Sequence, residues 1–161
     1  MPKFTQKFTI IALLEDVEEG YEFPSNAWPL HITIADTFAV KCSTEELIAE
    51  LTKKPDELKP ATAVASSDEY FGPEQQTHVV ILDMSKELIA LHYDVINMLK
   101  EGGLTLNDPQ YSESGFRAHS TVQPHARVNI GDSLKITNLA LVDMFPGEDP
   151  YQRKILKIVQ L

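Results

Sequence analysis

Two five-residue segments constrain this chain more than any other feature. Leu30-His31-Ile32-Thr33-Ile34 and Ala118-His119-Ser120-Thr121-Val122 share the pattern apolar-His-x-Thr-apolar and lie in opposite halves of the 161 residues. Each falls in a run that reads as a strand, where alternate side chains face the same side. His31 and Thr33 therefore share one face, with Leu30, Ile32 and Ile34 on the other. His119 and Thr121 share a face opposite Ala118, Ser120 and Val122. A fold that uses both segments needs two strands with buried apolar backs and polar fronts. Duplicated lobes, each contributing one such strand to a common cleft, satisfy that requirement.

The chemistry of two such fronts suits phosphodiester cleavage. A base must take the proton of the attacking oxygen, and an acid must protonate the leaving oxygen. An imidazole titrating near 6.5 can serve as either close to neutral pH. The stiff hydroxyls of Thr33 and Thr121 can donate hydrogen bonds to non-bridging oxygens as charge builds there. Arg117 has the strand parity of His119 and Thr121, so it is a third candidate phosphate ligand. A zinc site through His31, His119 and His125 is the competing reading. The sequence offers it neither a Cys pair nor a His-Glu-x-x-His helix,. The expectation is therefore catalysis by His31 and His119, with no metal and no cofactor.

The remaining chain frames these segments. Strands are expected over 8–14, 30–34, 61–65, 77–82, 116–123, 134–142 and 153–159, with 16–27 as an acidic, turn-like connection,. Ser43-Thr44-Glu45-Glu46 is a capping box opening a helix, which Pro55 and Pro60 end,. A longer helix is expected from Ser85 to Lys100, with Leu88, Leu91, Val95 and Leu99 on one stripe and Gly102 as its cap,. The order lacks the strict alternation of a doubly wound parallel sheet, so an α+β fold with largely antiparallel sheets is predicted. No Gly-, Ser- or Pro-rich linker divides residues 1–161, which read as a single domain of two lobes.

Charge and cysteine usage narrow the partners. A net charge of −10 lacks the basic excess that gripping long nucleic acid requires. A small nucleotide or an RNA end is the better expectation. No run of about 18 apolar residues suggests a membrane span, and the apolar stretch at Phe8–Leu14 reads as a first strand rather than a signal peptide,. One cysteine, Cys42, excludes an internal disulfide and points to a cytoplasmic setting,. Nothing in the sequence assigns an oligomeric state. Among the other histidines, His92 reads as packed in the long helix, His78 as structural, and His125 as a candidate for the cleft rim. Packing is the expected role of Tyr111, Phe116 and Tyr151, with base stacking as the alternative.

The paired segments His31-Ile32-Thr33-Ile34 and His119-Ser120-Thr121-Val122 resemble the two His-x-Thr/Ser-x motifs of the 2H phosphoesterase superfamily, which includes RNA 2′,5′-ligase-like proteins and cyclic phosphodiesterases. The order of strands and helices agrees over nearly the whole chain. The resemblance implies a bilobal, pseudo-symmetric α+β fold, with two largely antiparallel sheets and flanking helices around a central cleft. It implies metal-independent action on 2′,3′-cyclic phosphates or related nucleotide and RNA-end phosphodiesters. His31 and His119 would be catalytic, with Thr33, Thr121 and Arg117 at the phosphate. Family analogy points to His119 as the group that activates water. Leu30 and Ala118 stand where family members often carry proline. The acidic balance turns the expected substrate from long RNA towards small nucleotides, including cyclic nucleotide signals.

Overall fold

The computed structural model describes residues 6–53 and 56–161, so Pro55 lies outside the described residues. The chain runs β1 (Phe8–Leu13), β2 (Glu22–Pro24), β3 (His31–Ala39), α1 (Thr44–Lys53), β4 (Ala61–Phe71), β5 (Thr77–Met84), α2 (Lys86–Glu101), β6 (Thr105–Leu106), β7 (His119–Thr121), β8 (Ser133–Ile136), β9 (Asn138–Asp143) and β10 (Gln152–Gln160). A six-stranded sheet has the order β2-β10-β9-β1-β3-β6, and a four-stranded sheet has β7-β5-β4-β8. Every pairing is antiparallel. This is the expected α+β architecture, with one motif strand in each sheet. No helix among the described residues is long and apolar enough to cross a membrane.

Both helices start as their sequences dictate. Ser43 Oγ accepts the Glu46 N–H at 3.1 Å, closing the capping box of α1,. Ser85 caps α2 by accepting the Leu88 N–H, and its own hydroxyl donates to Thr62 O at 2.7 Å,. The apolar stripe of α2, Leu88, Leu91, Val95, Ile96 and Leu99, is fully buried. It enters one core with Ile32 and Ile34 of β3, Ala63 and Ala65 of β4, Val80 and Leu82 of β5, and Ala118. The apolar backs of both motif strands thus anchor in a core that runs under both sheets.

Besides β3 and β4, which run on to Ala39 and Phe71, three segments differ from the sequence expectation. The strand expected over 134–142 is broken at Thr137, with β8 in the small sheet and β9 in the large one. The Asn138 side chain bridges the change: its Oδ1 accepts the Leu13 N–H at 2.9 Å, and its amide donates to Leu13 O at 3.1 Å. That side chain copies a backbone ladder, so the chain leaves one sheet without orphaning Leu13. The second motif strand spans only His119–Thr121 rather than 116–123. The acidic connection carries β2, which pairs with β10 at the sheet edge.

A bulge in β4 matters for the site. Ala65 pairs with Leu82 and Ser67 with Ile81, so Ser66 is an extra residue in the ladder. An inserted residue reverses the facing of everything beyond it. Ala61, Ala63 and Ala65 enter the core, whereas Ser67, Glu69 and Phe71 turn to the opposite face. That face carries Val79 and Ile81 of β5 and, through them, Thr121 and His119 of β7.

Candidate active site

The site lies where the two sheets meet, because β3 and β7 run against each other there. On the large sheet, His31 pairs with Leu13 and Thr33 with Ile11. Ile11 and Leu13 belong to an apolar floor with Phe23, Ala140, Val142 and Ile155. On the small sheet, His119 pairs with Ile81 and Thr121 with Val79. The expected parity holds in both strands: the histidine and threonine of each motif share a face opposite fully buried Ile32 and Ile34, or Ala118 and Ser120.

The two imidazoles are held in the same way. His31 Nδ1 lies 2.7 Å from Pro29 O, and His119 Nδ1 lies 2.9 Å from Arg117 O. In each case the acceptor is the carbonyl two residues earlier. A carbonyl can only accept, so each Nδ1 carries a proton. The neutral ring therefore presents Nε2 as a lone pair. Neither Nε2 has a hydrogen-bond partner among the described residues. Pro29 and Arg117 both stand just before their strands begin, outside the ladders, so both carbonyls are free to turn towards the ring.

The surroundings of the two rings differ. Trp28 lies against His31 at a centroid distance of 4.9 Å and an angle of 32°, leaving the histidine 8% exposed. The polar front expected at His31 is therefore a buried one. Burial pushes this imidazole down to about 4, and a proton on His119 pushes in the same direction, while the bond to Pro29 and the charge of Glu15 push back,. His119 is also lowered, chiefly by burial, with Phe71 packed edge-on against it at 4.9 Å. The free cleft thus holds both imidazoles neutral near pH 7, and burial opposes charge most strongly at His31.

Arg117 reaches the cleft face, but not as an unpaired clamp. Its Nη2 lies 2.6 Å from Glu69 Oε2, and its guanidinium lies over the Phe71 ring at 5.7 Å. Glu69 and Phe71 are there because of the Ser66 bulge, which no residue pattern in β4 announces. Nη1 and Nε of Arg117 carry no partner among the described residues.

The remaining candidates fall outside the histidine pair. His92 is 1% exposed, donates from Nδ1 to Ile34 O at 2.6 Å, accepts the Glu113 N–H at 2.8 Å and stacks on Phe116 at 3.9 Å. Both its nitrogens are used in packing, as expected for a core histidine. His78 bonds Asp68 at 2.7 Å and stacks on Tyr70. His125 pairs with Glu15 at 2.9 Å. Among the described residues no group of three His, Cys, Asp or Glu is disposed to hold a metal ion.

Comparison with known proteins agrees with the fold. The family model described as the 2'-5' RNA ligase superfamily matches residues 7–136. A solved phosphoesterase structure aligns with a TM-score of 0.59 at 19% identity, covering 97% of this chain and 98% of its own. Escherichia coli LigT complexed with 3'-AMP aligns with a TM-score of 0.59 at 16% identity over the same shares. LigT complexed with NADP+ gives 0.58 at 17% identity, with 97% of each chain covered. No curated protein sequence matches the chain. At such identities the structural likeness speaks for the fold, while the family match spans most of the sequence and includes both His-x-Thr segments. The chain belongs to the 2'-5' RNA ligase superfamily, the 2H phosphoesterases.

Proposed function

We propose that this protein is a phosphodiesterase that opens 2′,3′-cyclic phosphates or related nucleotide and RNA-end phosphodiesters, with His31 and His119 as its acid–base pair. Family membership supports phosphoesterase activity in general. The observation that carries the finer reading is the matched tethering of both Nδ1 atoms to the carbonyl two residues back, which frees both Nε2 atoms for a ligand. That LigT is found complexed with 3'-AMP and with NADP+ supports a small nucleotide as the ligand class.

In hydrolysis, water attacks phosphorus as one neutral imidazole takes its proton. The ester P–O bond breaks as the other imidazole, which takes up a proton from solvent when the anionic substrate binds, hands that proton to the leaving oxygen. One water is consumed, and the pair ends with the same number of protons, the base now protonated and the acid neutral. The anionic phosphodiester supplies what the free cleft lacks, since its charge favours protonating an imidazole beside it. Thr33 and Thr121, on the same faces as their histidines, donate to the non-bridging oxygens. Arg117 contributes charge from the rim through the N–H groups that Glu69 leaves free.

Because two imidazoles supply both proton transfers, the reaction needs no Lewis acid. Opening of 2′,3′-cyclic AMP should proceed at an unchanged rate after exhaustive treatment with EDTA, followed by chromatography of the product. Loss of the activity on chelation, with recovery on adding zinc, would overturn the two-histidine mechanism.

A further inference from the structure

The turn after β7 makes two bonds across the cleft that the acid–base chemistry does not itself use. The Gln123 N–H bonds Ala126 O at 2.9 Å and closes the turn. From one end of it, the Gln123 side chain donates to Thr121 O at 3.3 Å and accepts the Trp28 N–H at 3.0 Å. From the other end, His125 grips Glu15. Glu15 follows β1 and Trp28 precedes β3, the two strands whose Leu13–His31 pairing carries the first motif. One turn of the small sheet therefore holds both flanks of the histidine strand in the large sheet.

Gln123 is 8% exposed, and its amide spends a donor on one lobe and an acceptor on the other. A buried amide with both ends used is fixed in place, because either unmet group would carry its desolvation cost. What it fixes is specific. Trp28 is the ring against His31, and the next residue, Pro29, supplies the carbonyl that orients the His31 ring.

We infer that Gln123 is a positioning residue for the proposed reaction: it ties the end of the second motif strand to Trp28 and so sets where His31 stands relative to His119. The inference rests on the acid–base reading of the two histidines, and its test has a readout that needs no activity.

Gln123→Leu keeps most of the volume and removes both bonds; Gln123→Asn keeps the amide, but one methylene fewer prevents it from spanning both partners. In each variant, turnover on 2′,3′-cyclic AMP is expected to fall by about 10²-fold, the effect of a small misplacement of a reacting group, with KM little changed. In the free protein, the NMR titration of the His31 ring should move up towards that of an ordinary imidazole as Trp28 loosens over it. His119 and Glu15, the titratable groups that act on His31, remain in place, and His92 should titrate as in the wild type. A folded variant with unchanged turnover and an unchanged His31 titration would overturn the inference. So would failure of both variants to fold, which would make Gln123 a stability residue. Should the wild type open no phosphodiester, the functional reading fails while the His31 titration still decides the role of Gln123.

Discussion

Replacing either cleft histidine by asparagine is expected to lower turnover on a 2′,3′-cyclic nucleotide by about 10²–10⁴-fold, the usual worth of a positioned acid or base. Asparagine is the informative replacement here. Its amide N–H can still donate to Pro29 O or Arg117 O, the bonds that His31 and His119 make through Nδ1. It offers nothing at the place of Nε2. His31→Asn and His119→Asn should therefore fold and bind nucleotide while losing proton transfer, so that kcat falls far more than KM rises. Thr33→Ala and Thr121→Ala should slow the chemical step less, each removing one donor to the developing charge. His78→Asn is the control: its ring is engaged by Asp68 and Tyr70 away from the cleft. Steady-state kinetics on the five variants checks the series.

The second large effect is on stability in acid. His31 is held near 4 in the folded protein, against an ordinary 6.5, so its neutral form is favoured by folding. Between these two values the unfolded chain binds more protons than the native one, and stability rises with pH. The contribution of His31 is complete above about pH 6.5 and is lost as pH falls towards 4. It amounts to about 3 kcal/mol at 1.36 kcal/mol per unit of pKa. His92 and His119 are lowered in the same direction by burial and add to the slope. Urea unfolding at pH 7 and pH 4.5 should show a marked loss of stability in the wild type and a smaller one in His31→Asn. A bound phosphate should reduce the loss, because its charge favours the protonated rings. Equal pH dependence in the wild type and His31→Asn would mean that His31 titrates normally.

Much of the site was legible in local pattern. The His-x-Thr spacing placed His31 with Thr33 and His119 with Thr121, because a period of two survives whatever the strands pack against. The capping box at Ser43 and the start of the long helix at Ser85 were equally local. What escaped was set by contacts distant in sequence. Trp28 becomes the roof of His31 because the chain returns from the edge strand β2 across the floor of the large sheet. Gln123, beyond the end of β7, reaches Trp28 across 95 positions of sequence. Glu69 and Phe71 reach the cleft through a one-residue bulge, and nothing in Ala65-Ser66-Ser67 marks it. The buried state of His31 follows from these same contacts. A strand pattern tells which face a residue takes but not what later covers that face.

The same limit applies to the substrate. On the proposed reading the motifs form a site for a phosphodiester, with Glu15 and the Arg117–Glu69 pair nearby. A net charge of −10 opposes a long polyanion more than a short one, which favours mononucleotides and short RNA ends over extended RNA as substrates,.

Incubating the EDTA-treated wild-type protein with a panel of 2′,3′-cyclic nucleotides, 2′,5′-linked dinucleotides and cyclic dinucleotides, and separating the products, tests the central claim most directly. The expected result is conversion of at least the 2′,3′-cyclic nucleotides to nucleoside monophosphates, slowed by about 10²–10⁴-fold in His31→Asn and His119→Asn. Tight binding of these nucleotides through the same histidines, with no product from any of them, would contradict it and make the cleft a nucleotide-binding module.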